Sequence, residues 1–299
     1  MFPERGQEDV WGDDRSARVA SSVIYPAGNA KRVKGGYELS GRWPFCSGIL
    51  HSKWAMVGGM VKKRTNGEPP DALIFLVPTH ELELIDTWDV AGLAATSSLD
   101  TCCENVFVPA HRTLAANDIR GGPTPGSIVN PSPLYQLPVA ALFPHLVAAP
   151  VIGMARGIVD AACDSMSTRH STYNKSKIAL HSVPQLRLSD AMAAQDAGMT
   201  LTLANCQEAD AISESSGSWS VIDKLRWRRD AAYSATAAVK ATDQLYQAQG
   251  GGAIYKQNVM QRQFRDMHAG IAHIGISNDI NGVAYGRVAL GLGSDNPTI

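Results

Sequence analysis

The sequence predicts an α+β chain in which a β-rich domain precedes a helical bundle, and three features of residue order predict it. From about Val19 to Val108, short β-branched or aromatic runs alternate with Gly, Asn and Pro. From Arg120 to Pro133 the chain is rich in Gly and Pro. Beyond that point Ala, Gln, Leu and Arg dominate, and apolar residues recur at helical spacing. Strands grouped ahead of helices, with no internal repeat, argue against a doubly wound α/β sheet, in which the two alternate.

The first strands are read in Tyr37-Glu38-Leu39-Ser40, Trp54-Ala55-Met56-Val57, Leu73-Ile74-Phe75-Leu76-Val77 and Glu104-Asn105-Val106-Phe107-Val108. Branched and aromatic side chains there suit a pleated, half-buried surface. Lys34-Gly35-Gly36 and Thr65-Asn66-Gly67 read as turns, because glycine and asparagine reach positive φ at little cost. Arg120-Gly121-Gly122-Pro123-Thr124-Pro125-Gly126 and Asn130-Pro131-Ser132-Pro133 read as a linker or extended loop. Leu137 to Met154 is the most apolar region. Its Pro138, Pro144, Pro150 and His145 predict a buried helix with breaks rather than an uninterrupted membrane span. Pro184-Gln185-Leu186 through Leu203 reads as a long helix, and Ala238, Ala241, Leu245 and Ala248 mark one face of another. The predicted division is a β domain over 1–120, a linker over 121–136 and a helical domain over 137–299.

The 299 residues are 44% hydrophobic, enough for a proper core, and the formal charge of −1 balances 27 basic against 28 acidic residues. That balance offers nothing to nucleic acid or to an anionic membrane. Met1-Phe2-Pro3-Glu4-Arg5-Gly6-Gln7-Glu8-Asp9 is polar and acidic and lacks the apolar stretch of a signal peptide. The five cysteines, Cys46, Cys102, Cys103, Cys163 and Cys206, are odd in number and form no CxxC, which fits a reduced cytoplasmic protein. HExxH, GxSxG, P-loop and GxGxxG patterns are absent from the sequence, so metalloprotease, hydrolase, nucleotide-phosphate and Rossmann chemistry are not expected.

Three stretches carry a family resemblance. The first is Gly36-Tyr37-Glu38-Leu39-Ser40-Gly41-Arg42-Trp43-Pro44-Phe45-Cys46-Ser47-Gly48, followed by Trp54. The second is Asp86-Thr87-Trp88-Asp89-Val90-Ala91-Gly92-Leu93, running on to Val108-Pro109-Ala110-His111-Arg112. The third is Gln247-Ala248-Gln249-Gly250-Gly251-Gly252, followed by Arg265-Asp266-Met267-His268 and His273. Each alone is weak, but in this order they span nearly the whole chain. The chain resembles the acyl-CoA dehydrogenase superfamily, and within it the two-component flavin-dependent aromatic hydroxylases. The resemblance implies a middle β-barrel domain followed by a four-helix bundle, assembled as a homotetramer. It also implies an N-terminal helical domain that relatives carry ahead of Glu8-Asp9-Val10-Trp11-Gly12 and that is expected to be missing here.

The implied reaction is that of an oxygenase component. Reduced FMN or FAD, delivered by a separate flavin reductase, reacts with O2 to a C4a-hydroperoxide, which hydroxylates a small phenolic or polycyclic aromatic substrate. The resemblance places Phe45, Ser47 and Gly48 at the flavin ring, with Ser47 at its N5 edge; an ordinary hairpin with a buried aromatic and a turn serine is the plainer reading. Gln247, Gly250 and Gly251 lie where relatives approach the cofactor, and the glycines equally suit a helix C-cap. Arg262 and Arg265 are candidates to neutralise a flavin phosphate, or a plain helix-surface pair. His273 matches the histidine near the flavin C4a region, where an imidazole can give or take a proton near neutral pH; His268 is the second choice and a candidate on the substrate side. Ser21 and Ser22 resemble a serine near the substrate pocket, while Trp43, Trp54 and Trp88 read as core.

Two features depart from the pattern. The run Ala95-Thr96-Ser97-Ser98 lacks the glycine that relatives place there, which predicts a restricted bend. The absent N-terminal domain predicts exposed apolar surface. Two other readings stay open: a true acyl-CoA dehydrogenase, for which Lys256, Gln257 and Asn258 supply no carboxylate base after the glycine run, and an inactive truncated relative that binds no flavin.

Overall fold

The structure, a computed structural model, describes residues 1–63, 69–215, 217–296 and 299, so the turn expected at Thr65-Asn66-Gly67 lies outside the described residues. The chain divides into two units. One comprises Met1–Val90 with Ala94–Leu137, the other Pro138–Ile299 with Ala91–Leu93.

The first unit opens with helix α1 (Glu4–Trp11) and continues through strands β1 (Val19–Ser22), β2 (Gly28–Val33), β3 (Gly36–Cys46), β4 (Trp54–Val61), β5 (Asp71–Pro78), β6 (Glu83–Ile85), β7 (Leu99–Pro109) and β8 (Thr113–Ala115). They share one sheet in the order β6-β7-β3-β2-β4-β5-β8, with β1 paired to β4. The described pairings run from β6 at one end of the path to β8 at the other. The expected turn at Lys34-Gly35-Gly36 joins β2 to β3, with Gly35 at φ 84°. Leu39, Trp43, Val57, Phe75 and Val77 pack together as the core. The Trp43 indole N–H is paired there with the Gly58 carbonyl at 2.6 Å, as a buried donor must be.

Residues 121–136 were expected as a linker, yet they belong to the sheet unit. The Gly126 N–H donates to the Met1 carbonyl at 2.8 Å, and the Asn130 amide donates to Gln7 Oε1 at 2.9 Å. His111 and Arg112, at the end of β7, both bond the Asp9 carboxylate of α1. Trp54 stacks beneath the Arg112 guanidinium at 4.9 Å.

The second unit contains α2 (Val139–Thr168), α3 (Ser182–Glu214), α4 (Val221–Gln247), α5 (Val259–Ile271) and α6 (Asn278–Ala289). Its core is built on Ala148, Val151, Ile152, Ala155, Ile158, Ala231, Ala235 and Leu245. The small residues let α2 and α4 approach closely. The breaks expected in α2 do not occur, because its 30 residues run through Pro144 and Pro150. The reason is local. Pro144 has no N–H, so the Ala140 carbonyl loses its helical donor. The Arg228 guanidinium of α4 replaces it, donating to Ala140 O at 2.6 Å. Pro150 frees the carbonyl of Leu146, which lies on the exposed side of the helix. By length and composition α2 would suit a membrane span, but its apolar face packs in the bundle core.

A polar seam crosses this core. Asn205 of α3 donates to the Asp230 carboxylate of α4 at 3.0 Å, and Arg229 bonds the same carboxylate. On α2, His145 is only 3% exposed, and among the described residues neither of its ring nitrogens has a hydrogen-bond partner. Burial pushes its pKa down to about 4, against the weaker opposing attraction of Asp230. The native ring is therefore neutral. As pH falls from about 6.5 toward 4, the unfolded chain binds a proton that the native chain refuses, which removes up to about 3 kcal/mol of stability. His145→Leu removes this term. The difference between its urea midpoints at about pH 7 and about pH 5 is expected to shrink relative to the parent, and an unchanged difference assigns the acid sensitivity to other groups.

Candidate functional site

The sheet unit builds its candidate residues on a bulge. β3 pairs with β7 as far as Trp43 opposite Thr101 and resumes with Cys46 opposite Leu99. Pro44 and Phe45 thus stand against the single residue Asp100. Proline cannot feed the ladder, so its place is at such an interruption. Phe45 takes φ 60°, a left-handed conformation that a bulky residue adopts only when its surroundings impose it. Two contacts impose it. The buried Ser22 hydroxyl donates to the Pro44 carbonyl at 2.6 Å, and Trp88 meets the Phe45 ring edge-on at 6.2 Å. The ring is left 62% exposed.

Beyond the bulge the chain turns at Ser47 and Gly48. Gly48 has φ 76° and donates its N–H to the Thr96 carbonyl at 2.7 Å. Ser47 Oγ lies 2.8 Å from Ser98 Oγ, which lies 2.7 Å from Thr96 Oγ1, so three hydroxyls form a chain that ends at an exposed serine. The bend expected to suffer from the missing glycine is made all the same, with Ser97 itself at φ 46°. Ser21 is exposed and bridges Ser47 through the backbone. Ser22 is buried and holds the bulge, so it is not available to a substrate as expected.

In the helical unit, His273 lies in the turn after α5. Its Nδ1 accepts the Gly275 N–H at 2.9 Å, and the Phe143 ring lies 5.8 Å away. An Nδ1 that accepts is not protonated, so the neutral ring carries its proton on Nε2. The desolvation of its packed side lowers its pKa below the ordinary histidine value.

The other expected residues are placed as follows. Arg265 bonds the Ala91 carbonyl and Gln261, so its guanidinium is committed to the loop beside α5 rather than held out for a phosphate. Asp266 accepts the Leu93 N–H at 2.6 Å. Gly92 completes that clamp, because a Cβ there would sit 2.2 Å from the Arg265 carbonyl oxygen. Arg262 is exposed. His268 donates from Nδ1 to the Phe264 carbonyl at 2.8 Å, and its Nε2 lies 3.2 Å from Asp243 Oδ1. It ties α5 to α4 and is not free for the substrate role expected of it. Gln247 is exposed at the end of α4, and Gly250 turns the chain at φ 67°. Arg169 holds this turn by the carbonyls of Ala248 and Gln249.

Sequence reasoning missed Ser98, Trp88 as a brace, Arg228 and Asn281. One signal was present for Arg228, which shares a helix face with the buried Ala231, Ala232 and Ala235 and so places a charge on an apolar stripe.

A planar aromatic that is exposed yet braced, a hydroxyl chain ending beside it, and open backbone at Gly48 fit the face and polar edge of a flavin ring.

Comparison with known proteins agrees with the architecture. The signature of "Acyl-CoA dehydrogenase, C-terminal domain" matches residues 145–278. The oxygenase subunit HsaA of a flavin-dependent monooxygenase from Rhodococcus jostii (strain RHA1) is 32% identical over 98% of this chain and 76% of its own length. The oxygenase component of an FADH(2)-dependent resorcinol hydroxylase from Rhizobium sp. (strain MTP-10005) is 33% identical over 98% of this chain and 73% of its own. Among solved structures, 3-HSA hydroxylase from Rhodococcus sp. RHA1 superposes with a TM-score of 0.91 at 31% identity, covering 100% of this chain and 76% of that one. XiaF from Streptomyces sp., in complex with FADH2 and glycerol, does so with a TM-score of 0.88 at 26% identity, covering 100% of this chain and 75% of that one. Sheet, bundle and site define a flavoenzyme related to the acyl-CoA dehydrogenases. More narrowly, the chain belongs to the oxygenase components of flavin-dependent monooxygenases, and it is an oxidoreductase that works with reduced flavin.

Two outcomes test the sheet half of the site. Because the Phe45 ring is exposed, Phe45→Ala is expected to leave the thermal midpoint nearly unchanged and to weaken reduced-flavin affinity roughly tenfold, read by anaerobic titration. Ser22→Ala removes the donor to the part-buried Pro44 carbonyl and is expected to cost about 1 kcal/mol in denaturant unfolding, with a loss of flavin affinity that follows from the loosened bulge.

Proposed function

We propose that the chain hydroxylates a phenolic or polycyclic aromatic substrate, using O2 and reduced FMN or FAD delivered by a separate flavin reductase. Relatives named as the oxygenase components of a resorcinol hydroxylase and of p-hydroxyphenylacetate 3-hydroxylase support aromatic ring hydroxylation. The word "component" in both names supports a reductase partner. The two units are read as the middle β domain and the C-terminal four-helix bundle of the fold. Exposed apolar side chains on the helical unit, such as Leu180, Val183 and Leu186, support assembly into a homotetramer, and the reduced cysteines support a cytoplasmic setting.

The flavin supplies electrons and the atom at which O2 is activated. The chain supplies the rest. Phe45 packs on the ring face, and Ser47, backed by Ser98 and Thr96, donates to its N5 edge. Gly48 lets backbone come close, and Ser21 contacts the substrate beside Ser47. The observation that carries the reading is the state of His273, held neutral with its proton on Nε2 by the Gly275 N–H. A neutral donor of this kind stabilises negative charge building on a phenolic oxygen, and desolvation, which lowers the His273 pKa, favours that neutral form. Acyl-CoA dehydrogenation needs a carboxylate to take the α-proton, a task for which a neutral Nε2–H imidazole is unsuited.

Purified chain given a flavin reductase, NADH, O2 and a panel of phenols is expected to form hydroxylated products, and to reduce no dye when offered acyl-CoA thioesters. His273→Ala is expected to lower product formation by about a hundredfold while reduced-flavin affinity changes less than about threefold. Dye reduction driven by an acyl-CoA, or undiminished hydroxylation by the variant, overturns the reading.

A further inference from the structure

His273 does not hold itself in place. The Gly275 N–H that fixes its tautomer belongs to a short 3₁₀ turn, Ile274–Ile276, and that turn is gripped from beneath. Asn281, on α6 and 1% exposed, donates its side-chain amide to the Gly275 carbonyl at 3.1 Å and to the Ser277 carbonyl at 2.9 Å. Both amide protons are thereby used on the turn. The amide oxygen accepts Arg228 Nε at 3.0 Å, and the same guanidinium donates to the Ala140 carbonyl freed by Pro144. Burial lowers the Arg228 pKa, and both of its partners are neutral oxygens. The cation thus sets the direction of the Asn281 amide. Its N–H can meet only the oxygen of Asn281, which turns the NH2 toward the Gly275 carbonyl. On the other side of its Cα, Gly275 offers its N–H to His273. A Cβ on Gly275 would lie 3.1 Å from His273 Nδ1 and 3.3 Å from the Phe143 ring, so the imidazole rests directly against this peptide.

We propose that Asn281 and Arg228 are positioning residues for His273, acting through the backbone of the Gly275 turn to hold the imidazole as a neutral donor with its proton on Nε2. The proposal rests on the assignment of His273 to the reaction, but its structural half is testable without turnover. The chain of contacts is directional at every link, since carbonyl, amide and guanidinium each have one way to face the next. Removing the Asn281 amide protons releases the Gly275 and Ser277 carbonyls, so the turn loosens on both sides of Gly275 and its N–H no longer holds one nitrogen of the imidazole.

The test is nitrogen NMR of the His273 ring in flavin-free protein labelled at histidine, with His273→Asn used to assign the signals. The parent is expected to show Nδ1 unprotonated and Nε2 protonated. Asn281→Ala is expected to show both tautomers in exchange, with kcat for hydroxylation lowered about tenfold and KM changed less than about twofold. Asn281→Asp keeps the shape, loses the donors and is expected to behave alike, which covers failure of the alanine variant to fold. Arg228→Lys keeps the charge but not the fork, and is expected to shift the tautomer balance in the same direction by a smaller amount. A parent-like tautomer in any folded variant of this set overturns the proposal. Undiminished hydroxylation by His273→Asn, with the tautomer shift still seen, overturns the catalytic reading of His273 and leaves the positioning link standing.

Discussion

A proline takes one N–H out of a backbone ladder, and the oxygen that would have accepted from it, or that the resulting irregularity exposes, must find another partner. The candidate residues of each unit grow from that constraint. In the helical unit, Pro144 strands the Ala140 carbonyl. The guanidinium brought in to satisfy it, Arg228, also orients Asn281 and, through it, the turn that carries His273. In the sheet unit, Pro44 sits in a bulge whose carbonyl is taken by Ser22, and the residue forced outward by the bulge is Phe45. A regular helix or strand at either place would have had no unsatisfied group to recruit these side chains.

The chemistry of the two halves differs in kind. The sheet unit offers an aromatic face and a run of hydroxyls, groups that are neutral at any pH a cell uses. The helical unit offers the titratable group, and its surroundings keep it neutral. Desolvation favours the uncharged imidazole, and a donated peptide N–H occupies the nitrogen that would take the second proton. The charges nearby are tied into the structure instead. Arg265 and Asp266 clamp the Ala91–Leu93 segment, and His268 pairs with Asp243 between helices. Preorganised neutral dipoles stabilise developing charge without the solvation cost of buried ions.

Much of this was legible in the residue order. The strands around Leu39, Val57, Phe75 and Val106 and the apolar face of α4 followed from period and composition, because burial on one face imposes a repeat. The motif containing Phe45 and Ser47 and the later His273 could be picked out as candidates from residue order alone. Prolines in α2 were read as breaks, since sequence displays the missing N–H but not the guanidinium that compensates for it 88 residues away. Ser22 was read as a substrate contact and Arg265 as a phosphate ligand for the same reason. A hydroxyl or a guanidinium announces what it can bond and says nothing of which acceptor the fold will bring to it.

What the sequence determined by itself was therefore the class of each element and the chemical inventory of the site, because periodicity and residue type are local properties. Only the tertiary structure decided which of those groups are committed and which are left exposed. Ser22, Arg265 and His268 bond partners distant in the chain or one turn away, while Phe45 and Ser47, though braced by Trp88 and Ser98, stay exposed. The left-handed turn of Phe45 and the tautomer of His273 depend on contacts that no local pattern encodes. They arise where a gap in one backbone ladder is closed by a side chain from another element.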